Sequence, residues 1–178
     1  MKNSAGSKRL LLRELVLFPM LGVIMFVSVV LMAVLPNIHL IGTLIVVFTL
    51  TFRWKALIPI YIFVFLDGLY FGFSPYWAPY LYAWALLWAA VMILPKKMPT
   101  ALKAVVYPAV SGVHGLLFGV LGAPLTATLL GVSPLAWIAS GIGYDITHGI
   151  GNLVGGLLIL PLTNLMNRLY RQLMGSSV

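Results

Sequence analysis

The chain has 178 residues, of which 62% are hydrophobic and 8% are charged, and its mean hydropathy is +1.08. A soluble domain carries about 25% charged residues, and so short a chain has too little interior to bury this much apolar surface. A water-soluble globular fold is therefore excluded, and the solvent for most side chains must be lipid.

The net charge is +8, a balance that in a soluble protein would indicate nucleic-acid binding. Here the basic residues stand in short clusters between apolar runs, where they orient a membrane protein, and we expect no nucleic-acid partner. The chain has no cysteine, which excludes disulfides, thiolate metal sites and cysteine nucleophiles.

Six apolar runs, separated by proline, glycine and charged residues, predict an all-α bundle of six transmembrane helices in one domain, residues 1–178. The predicted spans cover residues 14–35, 38–52, 56–72, 79–95, 101–122 and 139–170. The first apolar run is longer than the roughly 7–15 residues of a secretory h-region, so it is expected to be an uncleaved span. Residues 123–138 contain Pro124 and Pro134 and predict a surface loop with room for one short helix.

The basic residues form four clusters, and six spans place all four on the same side of the membrane. In chain order the clusters are Lys2, Lys8, Arg9 and Arg13, then Arg53 and Lys55, then Lys96, Lys97 and Lys103, and finally Arg168 and Arg171. Because cytoplasmic loops carry an excess of Lys and Arg, we predict that this side and both termini are cytoplasmic. The chain is thus predicted to be a multi-pass protein of the cell membrane.

Aromatic residues crowd the predicted turn between the third and fourth spans, on the opposite side. They are Tyr70, Phe71, Phe73, Tyr76, Trp77, Tyr80, Tyr82 and Trp84. An interfacial aromatic belt is the ordinary explanation, and the alternative is a wall or lid over an outward-facing pocket. The interruption of this segment by Ser74, Pro75 and Pro79 favours an ordered cap for some of the rings.

Polar side chains also occur at depths where lipid makes them costly. Asp67 follows Lys55 by roughly 18 Å along a helix, and His114 lies roughly 16 Å above Lys103. His39 follows the first span. A charge at the bilayer centre costs about 2.5–3.5 kcal/mol on insertion scales, so such residues usually face the bundle interior or a wet cavity.

The last predicted span carries Asp145, His148 and Asn152 at positions i, i+3 and i+7, which share one helical face. Such groups can simply bond to one another and hold a bundle together, but three on one face exceed what packing needs. We therefore predict a polar cavity open to the outside. Its candidate ligand-binding residues are His39, Asp67, Trp77, Tyr80, Trp84, His114, Asp145, His148 and Asn152.

Motifs for catalysis and ATP hydrolysis are absent from the sequence. There is no Gly-x-x-x-x-Gly-Lys-Ser/Thr phosphate loop, no His-Glu-x-x-His and no Gly-x-Ser-x-Gly. An intramembrane enzyme with Asp145 and His148 as an acid–base pair is the least favoured class. We expect neither enzymatic activity nor a metal or cofactor, because a metal set from His114, His148 and Asp145 would join ligands that are far apart in sequence.

In its length, its six predicted spans and its basic start, the chain resembles the substrate-binding S-components of energy-coupling factor (ECF) vitamin transporters. Residues 36–42 (Pro-Asn-Ile-His-Leu-Ile-Gly) and 143–152 (Gly-Tyr-Asp-Ile-Thr-His-Gly-Ile-Gly-Asn) carry the local likeness. The resemblance implies a subunit that captures a vitamin or related micronutrient from outside. It further implies two kinds of partner, a transmembrane scaffold subunit and two cytoplasmic ATPases.

The predicted pocket contains no Lys or Arg, which argues against a strongly anionic ligand. Carboxylates, imidazoles and aromatic faces suit a neutral or cationic ring system, such as a thiamine-like pyrimidine, a nucleoside-like base or cobalamin. The alternative function is a self-sufficient secondary carrier or channel, with Asp67 and Asp145 as proton or cation sites.

Overall fold

The computed structural model describes residues 3–35 and 37–175, with side chains from Leu12 onward. Lys2 and Pro36, which were named above, lie outside this part. The described chain is 82% helical and has no strand, so the all-α prediction is confirmed for it. The helices are α1 Asn3–Leu31, α2 Ile41–Phe52, α3 Leu57–Phe71, α4 Tyr80–Ile93, α5 Thr100–Leu116, α6 Phe118–Leu130, α7 Pro134–Gly156 and α8 Ile159–Met174, with a 3₁₀ turn at Arg53–Ala56.

The helical run Ile41–Phe71 reverses direction at Arg53. A straight run of its 31 residues would separate its ends by roughly 46 Å, yet His39 and Asp67, near the two ends, line the same cavity. Arg53 has a φ of 55°, which non-glycine residues rarely adopt. Its carbonyl oxygen accepts a 3.0 Å hydrogen bond from Nε1 of Trp88. α2 and α3 are therefore two antiparallel helices of the bundle.

Contacts between side chains show that α1 and α3 run in the same direction. Just before α3, Lys55 Nζ lies 2.6 Å from Oε1 of Glu14, which is in the first half of α1. Near their ends, the rings of Phe26 and Tyr70 pack with centroids 5.4 Å apart. We call the end of the bundle with Arg53, Lys55, Lys96 and Lys103 the basic end, and the end with Tyr70, Tyr76 and Trp77 the aromatic end.

The length and hydropathy of the described helices fit a membrane protein. Three helical runs are long and apolar enough to cross a bilayer: Leu12–Leu31, Ile41–Phe71 and Thr100–Leu130. A fourth is added if α7 and α8 together form one broken span, and α4 is a shorter apolar helix. Length and hydropathy thus indicate fewer spans than the six predicted. α2, α3 and α4 are individually short, and the 3₁₀ turn joins α2 to α3 without a break in the helical run.

Two predicted boundaries are wrong. Residues 123–138 are not a loop, because α6 continues to Leu130 and α7 begins at Pro134. The predicted span 139–170 is not one straight helix, because α7 and α8 meet at an angle of 55°. At this bend, Leu157 and Leu158 donate their backbone N–H groups to carbonyls three residues earlier, which tightens the helix end.

α2 lies at the centre of the bundle. Its residues Ile41, Ile45, Val46 and Phe48 are fully buried, since α4, α5, α7 and α8 surround it. α5 and α7 approach each other through glycines: a Cβ on Gly115 would lie 3.0 Å from the Cα of Gly149. Such close backbone contact is the usual role of small residues between membrane helices.

Candidate functional site

Two cavities open at the aromatic end. One, of about 290 Å³, contains Asp67, and the other, of about 370 Å³, contains Asp145. We call them the Asp67 cavity and the Asp145 cavity. They share Asn37, Tyr76 and Tyr80 as a common wall, and no Lys or Arg lines either one. Ligand sites typically have volumes of about 300–1,000 Å³, so each cavity has the size of a small ligand.

The Asp67 cavity lies between α3 and the segments that precede α2 and α4. α3 presents Asp67, whose side chain is 6% exposed, and the segment before α2 contributes His39. No hydrogen bond to the Asp67 carboxylate is found among the described residues. Nε1 of Trp77 donates a 2.9 Å hydrogen bond to the carbonyl oxygen of Val64, which fixes one indole wall of the cavity.

The Asp145 cavity lies between α6 and α7. Oδ1 of Asp145 accepts a 2.9 Å hydrogen bond from the backbone N–H of Gly119. Gly119 also accepts a 3.2 Å hydrogen bond at its carbonyl oxygen from Nε1 of Trp137. A Cβ on Gly119 would collide with the Asp145 carboxylate, so any larger residue here would displace the Asp145 side chain. Phe118 and Tyr80 provide aromatic walls.

The common wall is built of aromatic rings packed against their neighbours. Tyr76 packs against Trp137 with centroids 5.7 Å apart, and Tyr80 meets Phe118 edge-on at 5.8 Å. Asn37 has a φ of 55°, a conformation that asparagine adopts more readily than most residues. The separation between the two cavities is therefore made of side chains and one short turn, not of a helix.

A cluster of three imidazoles around Trp84 lies behind the cavities. The centroid of its indole is 5.9 Å from that of His39, 5.6 Å from that of His114 and 6.2 Å from that of His148. His114 Nε2–H donates a 2.9 Å hydrogen bond to the carbonyl oxygen of Ala83. Each of the four rings has one buried nitrogen with no hydrogen-bond partner among the described residues: Nδ1 of His39, Nε1 of Trp84, Nδ1 of His114 and Nε2 of His148.

The structure divides the nine predicted site residues into three groups. Five of them line the cavities: His39, Asp67, Trp77, Tyr80 and Asp145. Three belong to the buried cluster: Trp84, His114 and His148. The last, Asn152, is 1% exposed and donates a 3.1 Å hydrogen bond from Nδ2 to the carbonyl oxygen of Ser111.

The predicted polar face of the last span is a buried face of α7, but its members have different surroundings. Asp145 lines a cavity, His148 packs between rings, and Asn152 joins α7 to α5. For Asn152 the geometry favours a packing role. Within the described residues, no group of three His, Asp or Glu side chains is arranged to hold a metal ion.

Several cavity residues are not among those predicted. They are Asn37, Tyr76, Phe118, Trp137 and Tyr144. Tyr76 belongs to the aromatic segment and Asn37 to the turn at 36–42, so both carried a signal. Trp137 lies in the segment predicted as a loop. Phe118 follows a helix break at which the sequence has neither a proline nor a pair of glycines. The spacing of residues therefore could not assign either ring to a cavity.

Comparison with known proteins gives no match: no family model, no curated protein and no solved structure is similar to this chain. A functional assignment therefore depends on the residues and the geometry of the chain itself.

Proposed function

We propose that this chain is the substrate-binding S-component of an ECF-type vitamin transporter, a multi-pass protein of the cell membrane. One observation carries the proposal. The two cavities at the aromatic end hold two of the three acids of the chain among aromatic rings, while the described Lys and Arg side chains lie away from both. An outward-facing receptor for a ring-bearing, non-anionic solute needs these features.

The direction of the helices supports six passes with both termini in the cytoplasm. In the proposed arrangement α2 and α3, on either side of the reversal at Arg53, are separate passes, and α1, α4, α5 with α6, and α7 are the other four. α2 has only 12 residues, but a short or irregular pass is tolerated where protein surrounds it. The basic end faces the cytoplasm in this arrangement, as the positive-inside rule requires.

The cavities favour a small ring system over a large one. Asp67 and Asp145 can accept hydrogen bonds from ring N–H or amino groups and attract a cationic centre, and Tyr80 and Trp77 offer faces and edges for stacking. Volumes of about 290 and 370 Å³ suit a pyrimidine- or nucleoside-sized compound. A corrinoid such as cobalamin is too bulky for either cavity in this conformation.

A self-sufficient proton- or cation-coupled carrier is the second candidate, and the environment of Asp67 favours it. Asp67 is 6% exposed, lines a cavity, and no described residue donates a hydrogen bond to its carboxylate, a setting that suits an intramembrane ion site. Asp145, by contrast, is already bonded to Gly119. The two candidates thus differ in whether Asp67 serves the solute or an ion.

Reconstitution in liposomes separates the two functions. For a receptor subunit we expect tight binding of a ring compound by the purified chain, with uptake only when scaffold and ATPase subunits and ATP are present. Mass spectrometry of material retained after purification identifies the solute. Thiamine and nucleosides are the compounds to titrate first, and cobalamin, which is too bulky for either cavity, is the comparison expected not to bind. Uptake driven by an ion gradient without any ATPase would rule out the receptor proposal and establish the carrier.

A further inference from the structure

A third cavity, of about 460 Å³, lies at the basic end, opposite the two already described. We call it the basic cleft. It is enclosed by the 3₁₀ turn after α2, the loop between α4 and α5, the first turns of α5, and α8. Its polar lining consists of Arg53, Lys96, Thr100, Lys103, Tyr107, Thr163, Asn164 and Asn167.

The charge of the basic cleft is not balanced by the chain's own side chains. Three cations line it, and the whole sequence contains only three acids. Glu14 is paired with Lys55, while Asp67 and Asp145 line the cavities at the other end. Because three like charges line the cleft with no acid among them, the cleft is suited to an anion from outside the chain.

Arg53 is held in place before any ligand arrives. Nη2 of Arg53 donates a 3.3 Å hydrogen bond to the carbonyl oxygen of Met92, and Trp88 fixes the carbonyl of Arg53. The strained φ of 55° at Arg53 is of the kind that persists where surrounding structure imposes it, often at ligand sites. Arg53 thus lines the cleft in a fixed backbone conformation.

The start of α5 adds neutral donors to these charges. Pro99 precedes the helix and no side chain caps it, so the first backbone N–H groups have no partner within the helix. Thr100 lies at this terminus and lines the cleft, together with the side-chain amides of Asn164 and Asn167. Backbone N–H groups at a helix start combined with Arg and Lys form a typical phosphate site.

We propose that the basic cleft binds a phosphate group, carried either by the headgroup of an anionic phospholipid or by a soluble phosphate compound. Basic pockets between membrane helices commonly receive phospholipid headgroups. The remainder of the lining is apolar, with Leu50, Leu94 and Leu160 beside the cations, as a lipid glycerol and acyl chain would require. This inference is independent of the solute bound at the aromatic end.

The test uses the full chain, purified in detergent and freed of lipid, with two probes. Phosphatidylglycerol in mixed micelles represents the headgroup, and glycerol 1-phosphate represents the soluble source. Lys96→Gln and Lys103→Gln remove cations of the cleft. Lys97→Gln is the matched control, because Lys97 is exposed, adjoins Lys96, does not line the cleft and gives the same net charge.

We expect each cleft variant to raise the Kd for phosphatidylglycerol about tenfold, which is the effect of one lost charge-assisted contact. Lys97→Gln should leave this Kd unchanged. Binding of glycerol 1-phosphate with the same pattern of variants assigns a soluble phosphate source, and binding of the lipid alone assigns the headgroup. The proposal fails if wild-type protein binds neither probe, or if Lys96→Gln and Lys97→Gln change the Kd equally. Lys96 is solvent-exposed, so its substitution leaves the fold intact.

Discussion

The backbone N–H of Gly119 donates a 2.9 Å hydrogen bond to Oδ1 of Asp145, joining the start of α6 to the middle of α7. In a continuous helix this N–H would bond to the carbonyl four residues earlier, but the helix is interrupted at Leu117. A carboxylate is favoured at a helix N-terminus because of the helix dipole. Asp145 therefore has a structural bond on one oxygen while it lines a cavity, and the two roles can be separated.

Asp145→Asn and Asp145→Ala separate the two roles. Asparagine keeps an oxygen that can accept the Gly119 N–H, whereas alanine leaves this donor unpaired, so we expect the alanine variant to be about 1–3 kcal/mol less stable than the asparagine variant. Both variants lack the negative charge and should bind a cationic ring compound more weakly. Unfolding in detergent and a ligand titration measure these effects. Equal stability of the two variants would show that the bond to Gly119 contributes nothing, and unchanged affinity in Asp145→Asn would remove Asp145 from the site.

Gly119→Ala tests the same contact from the other side. The new Cβ would collide with the Asp145 carboxylate, and overpacking of this kind costs about 1–3 kcal/mol. Gly143→Ala is the matched control, because a Cβ at Gly143 has nothing within 4 Å and alanine favours a helix over glycine by up to about 1 kcal/mol. We expect the first variant to unfold at a lower temperature than wild type and the second at an equal or higher one. Equal unfolding temperatures for the two variants would contradict the close contact between α6 and α7 at Gly119.

Hydropathy and charge are sufficient to predict most helices here, because lipid obliges the backbone to satisfy its hydrogen bonds internally. The errors come from proline. Pro124 lies inside α6 and Pro134 begins α7, yet the loop prediction for residues 123–138 was based on these two prolines. Membrane helices tolerate proline, and the first helical position needs no N–H. The bend between α7 and α8 lies just before Pro161, which has no N–H for the carbonyl of Leu157 and whose ring clashes with it. The same point is marked by the change to a strongly one-sided helix in Ile159–Met174.

The candidate site was less predictable than the helices. Periodicity places Asp145, His148 and Asn152 on one face, but what each of them meets depends on the rotation of α7 against α5 and on the break at Leu117. The rings of His39 and His148 lie 4.9 Å apart, although they are separated by most of the chain. Such a pairing follows only from the folded arrangement of α2 beside α7.

The turn at Arg53 yields a prediction about backbone strain. Arg53→Gly and Arg53→Ala both remove the guanidinium, but only glycine adopts a φ of 55° without steric cost. We expect the glycine variant to be about 1–3 kcal/mol more stable than the alanine variant, the reverse of the usual order in helices. Thermal unfolding of the two purified variants decides the point. A more stable alanine variant would contradict the reversal of the chain at this residue.

His148 and His39 are predicted to differ in their effects on stability. His148 is 3% exposed, and the centroid of its ring lies 5.0 Å from that of Phe118, so His148→Ala leaves a hole that should cost about 2–5 kcal/mol. It should also weaken ligand binding, because it removes support from the ring of His39. His39→Ala should weaken binding with a smaller loss of stability, since His39 lines the Asp67 cavity. A His148→Ala protein with unchanged Tm and unchanged Kd would contradict this role.

The chain contains no cysteine, so single cysteines report the topology without background. Ser133 lies between α6 and α7, at the aromatic end, and Lys97 lies between α4 and α5, at the basic end; both are exposed. With six passes and cytoplasmic termini, a membrane-impermeant maleimide should label Ser133→Cys in intact cells. It should label Lys97→Cys only after permeabilisation, because the positive-inside rule places that loop in the cytoplasm. Labelling of both from the same side would mean that α5 with α6 does not cross the bilayer, and the Asp145 cavity could then not face outward.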